Sequence, residues 1–542
     1  MQNELGSDIS WTLRSRLNSA FQIILKSGNQ HRTINSSQPF HLNFHLMLAL
    51  NPFLDNARTK IKFYSVRTLP PDERCTRCTK AGKFCSVDPS FKRTKKRQYY
   101  RYYHPICPIL PPSSSFIAHS DESPLLFWTV ILTAIRDKTE LRALFSTLAE
   151  EVSSMAYDCI QPKNANLHAV QALLLLCYWS LPFEKLPTDP SLSFVNMATQ
   201  ICYRMGLHRP GFVVEFDRVT AVHNHPNIPR QLAWVFCFAS NVSVNGQFGL
   251  PPTARLDRGL LDAFATKPAW LPDTLYCQLQ ISHHLLKIIT MLGSYEFSAT
   301  GLLPNAQHVI PAFETELRVL EANLSPYWTR VDYINFCTCK LLLYIIAISS
   351  LDSNGIELEV TGSEKSSLWI LQAYLCVIAT IQAASTIEEQ LVKVPTRIFK
   401  SLASCVSFLI LLKCSKHHYL VDDGVLSTAI RQGWGLMRRF EIVPNDFVSR
   451  TCTLIERMSS YSETLKPEDK TEEILTAKSR MGFNVARSAS LLVQRKLLNN
   501  GQAKTTTTDN GTEQTNYFNM DMAELDFFLD FDWNESLLSL PL

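Results

Sequence analysis

Apolar positions along most of this chain recur at helical spacing. In SPLLFWTVILTAI, LRALFSTLAEEVSSMAYDCI, LHAVQALLLLCYW, FVNMATQICYRMGL, PRQLAWVFCFASNVS, LYCQLQISHHLLKIITML, FCTCKLLLYIIAI and LWILQAYLCVIATIQAAS the apolar residues return every three to four positions. Alternating runs joined by tight Asn-Gly turns do not occur, so strands are not expected. Pro182, Pro187 and Pro190 follow the LLLLCYW helix, and Gly206 and Pro210 close the next, where helix stops belong. The pattern predicts a mainly α chain with one large all-helical domain over residues 98–495.

Outside that domain the texture differs. Residues 1–74 show no clear period over any long window and are expected to be poorly ordered. Residues 75–97 form a cysteine and basic segment, and residues 98–116, QYYRYYHPICPILPPSSSF, make a short aromatic junction. From 496 the chain turns polar, with a TTTT run at 505–508, as expected of a linker. The tail MDMAELDFFLDFDWNESLL interleaves Asp and Glu with Leu525, Phe527, Phe528, Leu529, Phe531 and Trp533, the acidic-hydrophobic mixture of a disordered activation segment. As an induced helix it would set Leu525, Phe528 and Leu529 on one face for a coactivator groove.

Charge sharpens this division. The total is nearly balanced, 53 Lys plus Arg against 49 Asp plus Glu. Its placement is uneven: FKRTKKR at 91–97 holds five bases and no acid, and residues 505–542 hold eight acids and no base. The first 30 residues lack the apolar run of a signal peptide, so an intracellular protein is expected, with Cys159, Cys177, Cys202, Cys237, Cys337, Cys339 and Cys405 as reduced thiols in apolar helices. LHAVQALLLLCYWSLPF and CKLLLYIIAISSL are broken by polar residues and read as core helices, not membrane spans.

CTRCTKAGKFC, Cys75 to Cys85, carries the most specific chemistry. A structural zinc takes four thiolate or imidazole ligands, and Cys75-x2-Cys78 presents two on one turn. Cys85 follows after six intervening residues, with Gly82 where the chain must turn back. Arg74, Arg77, Lys80 and Lys83 favour the thiolate forms that capture metal. Alone, the basic run Lys92, Arg93, Lys95, Lys96 and Arg97 could be a solvated loop; beside Cys85 it reads as a phosphate-gripping and nuclear-localisation patch.

CTRCTKAGKFCSVDPSFKRTKKR resembles the second half of the binuclear cluster of fungal Zn(2)-Cys(6) transcription factors, in which six cysteines hold two zinc ions. YYRYYHPICPIL, SPLLFWTVI, NLHAVQALLLLCYWSLPFE and MATQICYRMGLHRPG are similar to the helical regulatory region of that family, and LDFFLDFDWNESLL to the acidic terminus of some members. The resemblance implies a nuclear regulator of RNA polymerase II genes that binds double-stranded DNA and zinc. It makes Cys75 a bridging ligand and Cys78 and Cys85 terminal ligands, with Arg77, Lys80, Lys83 and the 92–97 bases at the DNA, coactivators on the tail and a homodimer as further partners.

The pattern departs from the family at two places. No cysteine precedes Cys75, so the half that carries the family's base-reading helix has no counterpart, and His41 and His45 are spaced unlike its ligands. No heptad run follows Arg97, where the family has a coiled coil. A rival reading follows: a regulator that does not bind DNA and sequesters partners through its helical domain and acidic tail. An enzyme is not expected, since no GxSxG, HExxH, glycine-rich phosphate loop or dinucleotide fingerprint occurs. GLHRPG reads as a helix C-cap with a cation favouring the dipole and not as an anion site at His208 and Arg209, and the pairs His283/His284 and His417/His418 cannot share a helical face to hold metal.

Overall fold

The computed structural model describes residues 98–113, 116, 123–216, 228–351, 360–466, 468, 470–479, 481, 482 and 484–492. Cysteines 75, 78 and 85, the basic run to Arg97 and the aromatic tail at 525–533 lie outside these. The described chain is helical throughout, with no strand and a single parallel bridge, Ser415 to Thr471. It divides between Leu175 and Leu176 into two compact units.

In the first unit Ser123 caps a long helix, its hydroxyl accepting from the Leu126 amide at 3.4 Å, with Pro124 at the first helical position. Before it comes α1 (Gln98–Tyr102); the capped helix is α2 (Pro124–Ile135), followed by α3 (Arg142–Tyr157) and α4 (Leu167–Tyr178), within which the division falls. Every residue of α2 after Pro124 is buried, so this helix is apolar all round because it is central. The aromatic junction is part of the core: Tyr99 and Tyr103 are fully buried and stacked at 6.1 Å, the Tyr100 hydroxyl donates to the Pro111 carbonyl at 2.8 Å, and the Gln171 amide donates to the Ile109 carbonyl at 2.8 Å.

The second unit contains α5 (Ser191–Arg204), α6 (Ile228–Gln247), α7 (Arg258–Thr266), α8 (Asp273–Leu292), α9 (Ile310–Leu324), α10 (Arg330–Leu351), α11 (Val360–Ser385), α12 (Thr396–Cys414), α13 (Asp423–Arg438) and α14 (Phe447–Thr464). Helix α5 ends as its glycine predicts: Gly206 has φ +66°, and the Leu207 amide reaches back to the Cys202 carbonyl at 2.9 Å. Packing runs α5 on α6, α6 on α8, α8 on α10, α10 on α11, and α12 against α11, α13 and α14.

Helix α12 is buried along almost its whole length. Two helices, over Arg330–Ser350 and Ser366–Ser385, are long and apolar enough to cross a membrane; 72% and 56% of their apolar windows are buried among other helices. Asn241, fully buried on α6, is a polar hub. Its amide nitrogen donates to Thr199 Oγ1 (2.9 Å) and Thr253 Oγ1 (2.8 Å), while its oxygen accepts from the Thr253 and Ala254 amides (2.9 and 3.0 Å).

Beyond α14 the chain runs back over the second unit as a strap, residues 471–492. Its start is pinned beside α12, where the Thr471 amide donates to the Cys414 carbonyl at 3.0 Å and the Lys416 amide to the Thr471 carbonyl at 2.8 Å. Its fold is held by the Ser488 hydroxyl, which accepts from the Thr476 and Ala477 amides at 3.0 Å each.

Candidate functional site

Among the described residues no three His, Cys, Asp or Glu side chains come together as a metal centre. The cysteines of the helical segments are buried and none forms a disulfide. Burial pushes the thiol of Cys159 up to about 11 and that of Cys339 up to about 12, making them inert apolar fillers. The His283 ring stacks on Phe264 at 4.2 Å, and burial lowers its pKa to about 4, with His284 adding to the effect. His284 Nδ1 lies 3.4 Å from a Glu316 carboxylate oxygen that also takes Lys287 Nζ at 2.7 Å.

At the end of α5, His208 is packed among aromatic rings. Its ring sits edge-on to Tyr203 (5.1 Å), Phe216 (5.5 Å) and Trp234 (6.2 Å), and burial among them lowers its pKa, so the neutral imidazole is favoured. The cation at that helix end is Arg209.

The second unit contains a partly open cavity of about 120 Å3 bounded by α6, α8, α10, α12, α14 and the strap. Most of its exposed wall area is apolar, from residues such as Ile281, Leu342, Leu454, Ile455 and Val485, interspersed with hydroxyl and amide side chains such as Ser243, Asn335, Thr338, Ser404 and Thr451. The first turn of α12 contributes Arg397 and Lys400 and contains no acidic residue, although cations are disfavoured at a helix N-terminus. The turn is tied down from the segment after α4: Trp179 Nε1 donates to the Lys393 carbonyl at 2.8 Å, and the Ser180 amide to Thr396 Oγ1 at 3.2 Å.

The two cations are balanced differently. Lys400 Nζ lies 2.5 Å from a carboxylate oxygen of fully buried Asp189, whose other oxygen accepts the Ser191 amide at 2.8 Å. The Arg397 guanidinium lies over the Tyr178 ring, 4.3 Å from its centre, and donates through Nη1 to the Tyr178 hydroxyl at 2.6 Å; that hydroxyl donates to Gln278 Oε1 at 2.9 Å. Buried Asp332 is joined to this relay through Gln278, and burial raises its pKa. No carboxylate lies within 4 Å of the Arg397 guanidinium among the described residues, and its Nε has no partner there. Asn484 of the strap, also in the cavity wall, is fully buried with neither amide atom hydrogen-bonded among the described residues.

None of these cavity residues was singled out from sequence. Arg397 and Lys400 read locally as the polar stripe of an amphipathic helix, and Asn484 lies in a stretch without period. Their common wall exists only after α12 and the strap have been brought onto the same bundle.

Comparison with known proteins gives this architecture its relatives. Residues 97–272 match the family described as fungal specific transcription factor domain. The chain is 29% identical over 369 residues to the SEF1 protein of Kluyveromyces lactis, covering 66% of this chain and 32% of the relative. It is 27% identical over 383 residues to the transcriptional regulatory protein SEF1 of Candida albicans, covering 67% and 40%. To the regulatory protein LEU3 of Saccharomyces cerevisiae it is 23% identical over 271 residues, covering 46% and 30%. The chain thus spans about a third of the length of the curated relatives it matches. No solved structure matches. The matched domain begins at the last residue of the basic run, and over residues 97–272 the chain is similar to the fungal specific transcription factor domain.

Proposed function

We propose that this chain is a nuclear regulator of transcription by RNA polymerase II in a fungus, built from a DNA-contacting segment, a helical regulatory domain and an acidic activation tail. The observation that carries the reading is adjacency. The family domain starts at residue 97, the last residue of FKRTKKR and 12 positions after CTRCTKAGKFC ends at Cys85, and the curated relatives are named as transcriptional regulators. Cys75, Cys78 and Cys85 supply thiolates for zinc. Arg77, Lys80, Lys83, Lys92, Arg93, Lys95, Lys96 and Arg97 face the phosphates of double-stranded DNA, which gives affinity and register without sequence readout. The tail from Leu525 to Trp533 docks on coactivators. No catalytic group is part of this reading.

The three cysteines favour a second reading, in which the regulator acts by sequestering partners and does not grip DNA specifically. Zinc content of the full chain, measured with duplex DNA binding at two salt concentrations, separates the two. Bound zinc with sequence-selective binding supports the first. Phosphate contacts by the five bases of 92–97 would give a log–log salt slope of roughly −4 to −5. A zinc-free protein with no selectivity among duplexes overturns the first reading and supports the second.

A further inference from the structure

We propose that the cavity of the second unit is a binding site for a small organic monoanion with an apolar body, and that this ligand fastens the strap of residues 471–492 over the bundle. The inference stands whether or not the chain binds DNA.

Three features converge on it. The first is unspent polarity. Buried polar groups in folded proteins are nearly all hydrogen-bonded, and each exception calls for an explanation. Here the Arg397 Nε–H and both amide atoms of Asn484 lack partners, and both residues belong to one cavity wall. The second is charge. The cavity is lined by Arg397 and Lys400 and by no acidic residue; Asp189 pairs directly with Lys400, whereas the Arg397 guanidinium has no carboxylate within 4 Å among the described residues and feels Asp332 only at longer range. A carboxylate would accept from Arg397 and from the Asn484 amide nitrogen in charge-assisted hydrogen bonds. The third is the wall area, mainly apolar with scattered hydroxyls, which suits a short hydrocarbon body. About 120 Å3 is slightly less than the ~150 Å3 of a cavity that takes up benzene, so the fitting ligand has roughly five to eight non-hydrogen atoms.

The strap is part of the site. Gly482, Asn484 and Val485 form one wall, while the other walls come from helices distant in sequence. A ligand held between Arg397 and Asn484 therefore links α12 to the strap, and the strap leads directly into the C-terminal 50 residues.

The full chain is tested with sodium salts of straight-chain carboxylates from acetate to octanoate, each paired with the primary alcohol of equal length. Thermal melting and tryptic cleavage of the strap at Lys478 and Arg487 are followed. Pentanoate or hexanoate is expected to raise Tm and, at ten times its Kd, to slow strap cleavage about tenfold by mass action on the open form. Acetate, octanoate and the alcohols should have little effect. Arg397→Met should abolish the response. Should that variant fail to fold, Asn484→Leu, which removes an orphaned amide and keeps its bulk, should melt no lower than the parent and still lose the carboxylate response. Absence of any effect from the acids, equal effects from alcohols, or a parental response in Asn484→Leu overturns the proposal.

Discussion

A side chain on Gly482 would overlap the carbonyl oxygen of Gly246, so the strap crosses α6 at a separation that a glycine at 482 allows. Gly482 also has φ +95°, where an L side chain is strained. Gly482→Ala should lift the strap and cost about 2 kcal/mol or more. The check is a lower Tm together with faster tryptic cleavage at Lys478 and Arg487, and normal cleavage rates would refute it.

Asn241 satisfies the Thr253 and Ala254 amides and two threonine hydroxyls with one buried side chain. Asn241→Leu leaves the two amides without an acceptor in a dry setting and should destabilise the chain by about 3–5 kcal/mol. A urea midpoint close to that of the parent would show that the turn at 253–254 finds other partners.

Lys400 and Asp189 form an ion pair whose acid is fully buried. Lys400→Met strands that carboxylate and should cost about 3–5 kcal/mol. Adding Asp189→Asn removes the charge and keeps an acceptor for the Ser191 amide, so the double variant should recover at least half of the loss. Additive losses in the double-mutant cycle would mean that the pair is uncoupled.

Acid stability gives a fourth test through His283. Above pH 6.5 the ring is neutral in folded and unfolded chains alike and adds nothing to the pH dependence. Between 6.5 and about 4 the unfolded chain binds the proton and the folded chain does not, so stability falls as pH drops and this contribution levels off below 4. His283→Phe, which preserves stacking on Phe264, should flatten the chemical-denaturation stability profile in that window. An unchanged slope would place the acid sensitivity elsewhere, with His284 and Glu316 the next groups to replace.

The helices with wide apolar stripes were legible in sequence, as were the stop at Gly206 and the burial of the cysteines, because each depends on neighbours within a few turns. Six helices, α1, α7, α9, α12, α13 and α14, were not singled out. Helix α13 shows why: Gly424, Gly433 and Gly435 argue against a helix locally, yet a Cβ on Gly433 would meet a Val406 methyl at 2.5 Å, so close packing on α12 outweighs propensity. The cavity was beyond reach of any local reading, since Arg397 and Asn484 are 87 positions apart.

The buried thiols turn the helical units into their own clocks. A thiol that burial holds neutral and shielded reacts with an alkylating reagent only when its helix opens. Cys159 in the first unit and Cys202, Cys339 and Cys405 in the second therefore timestamp separate openings. Labelling followed by mass spectrometry would rank those events along one chain without introducing a single probe, and would show whether the two units loosen together or in sequence.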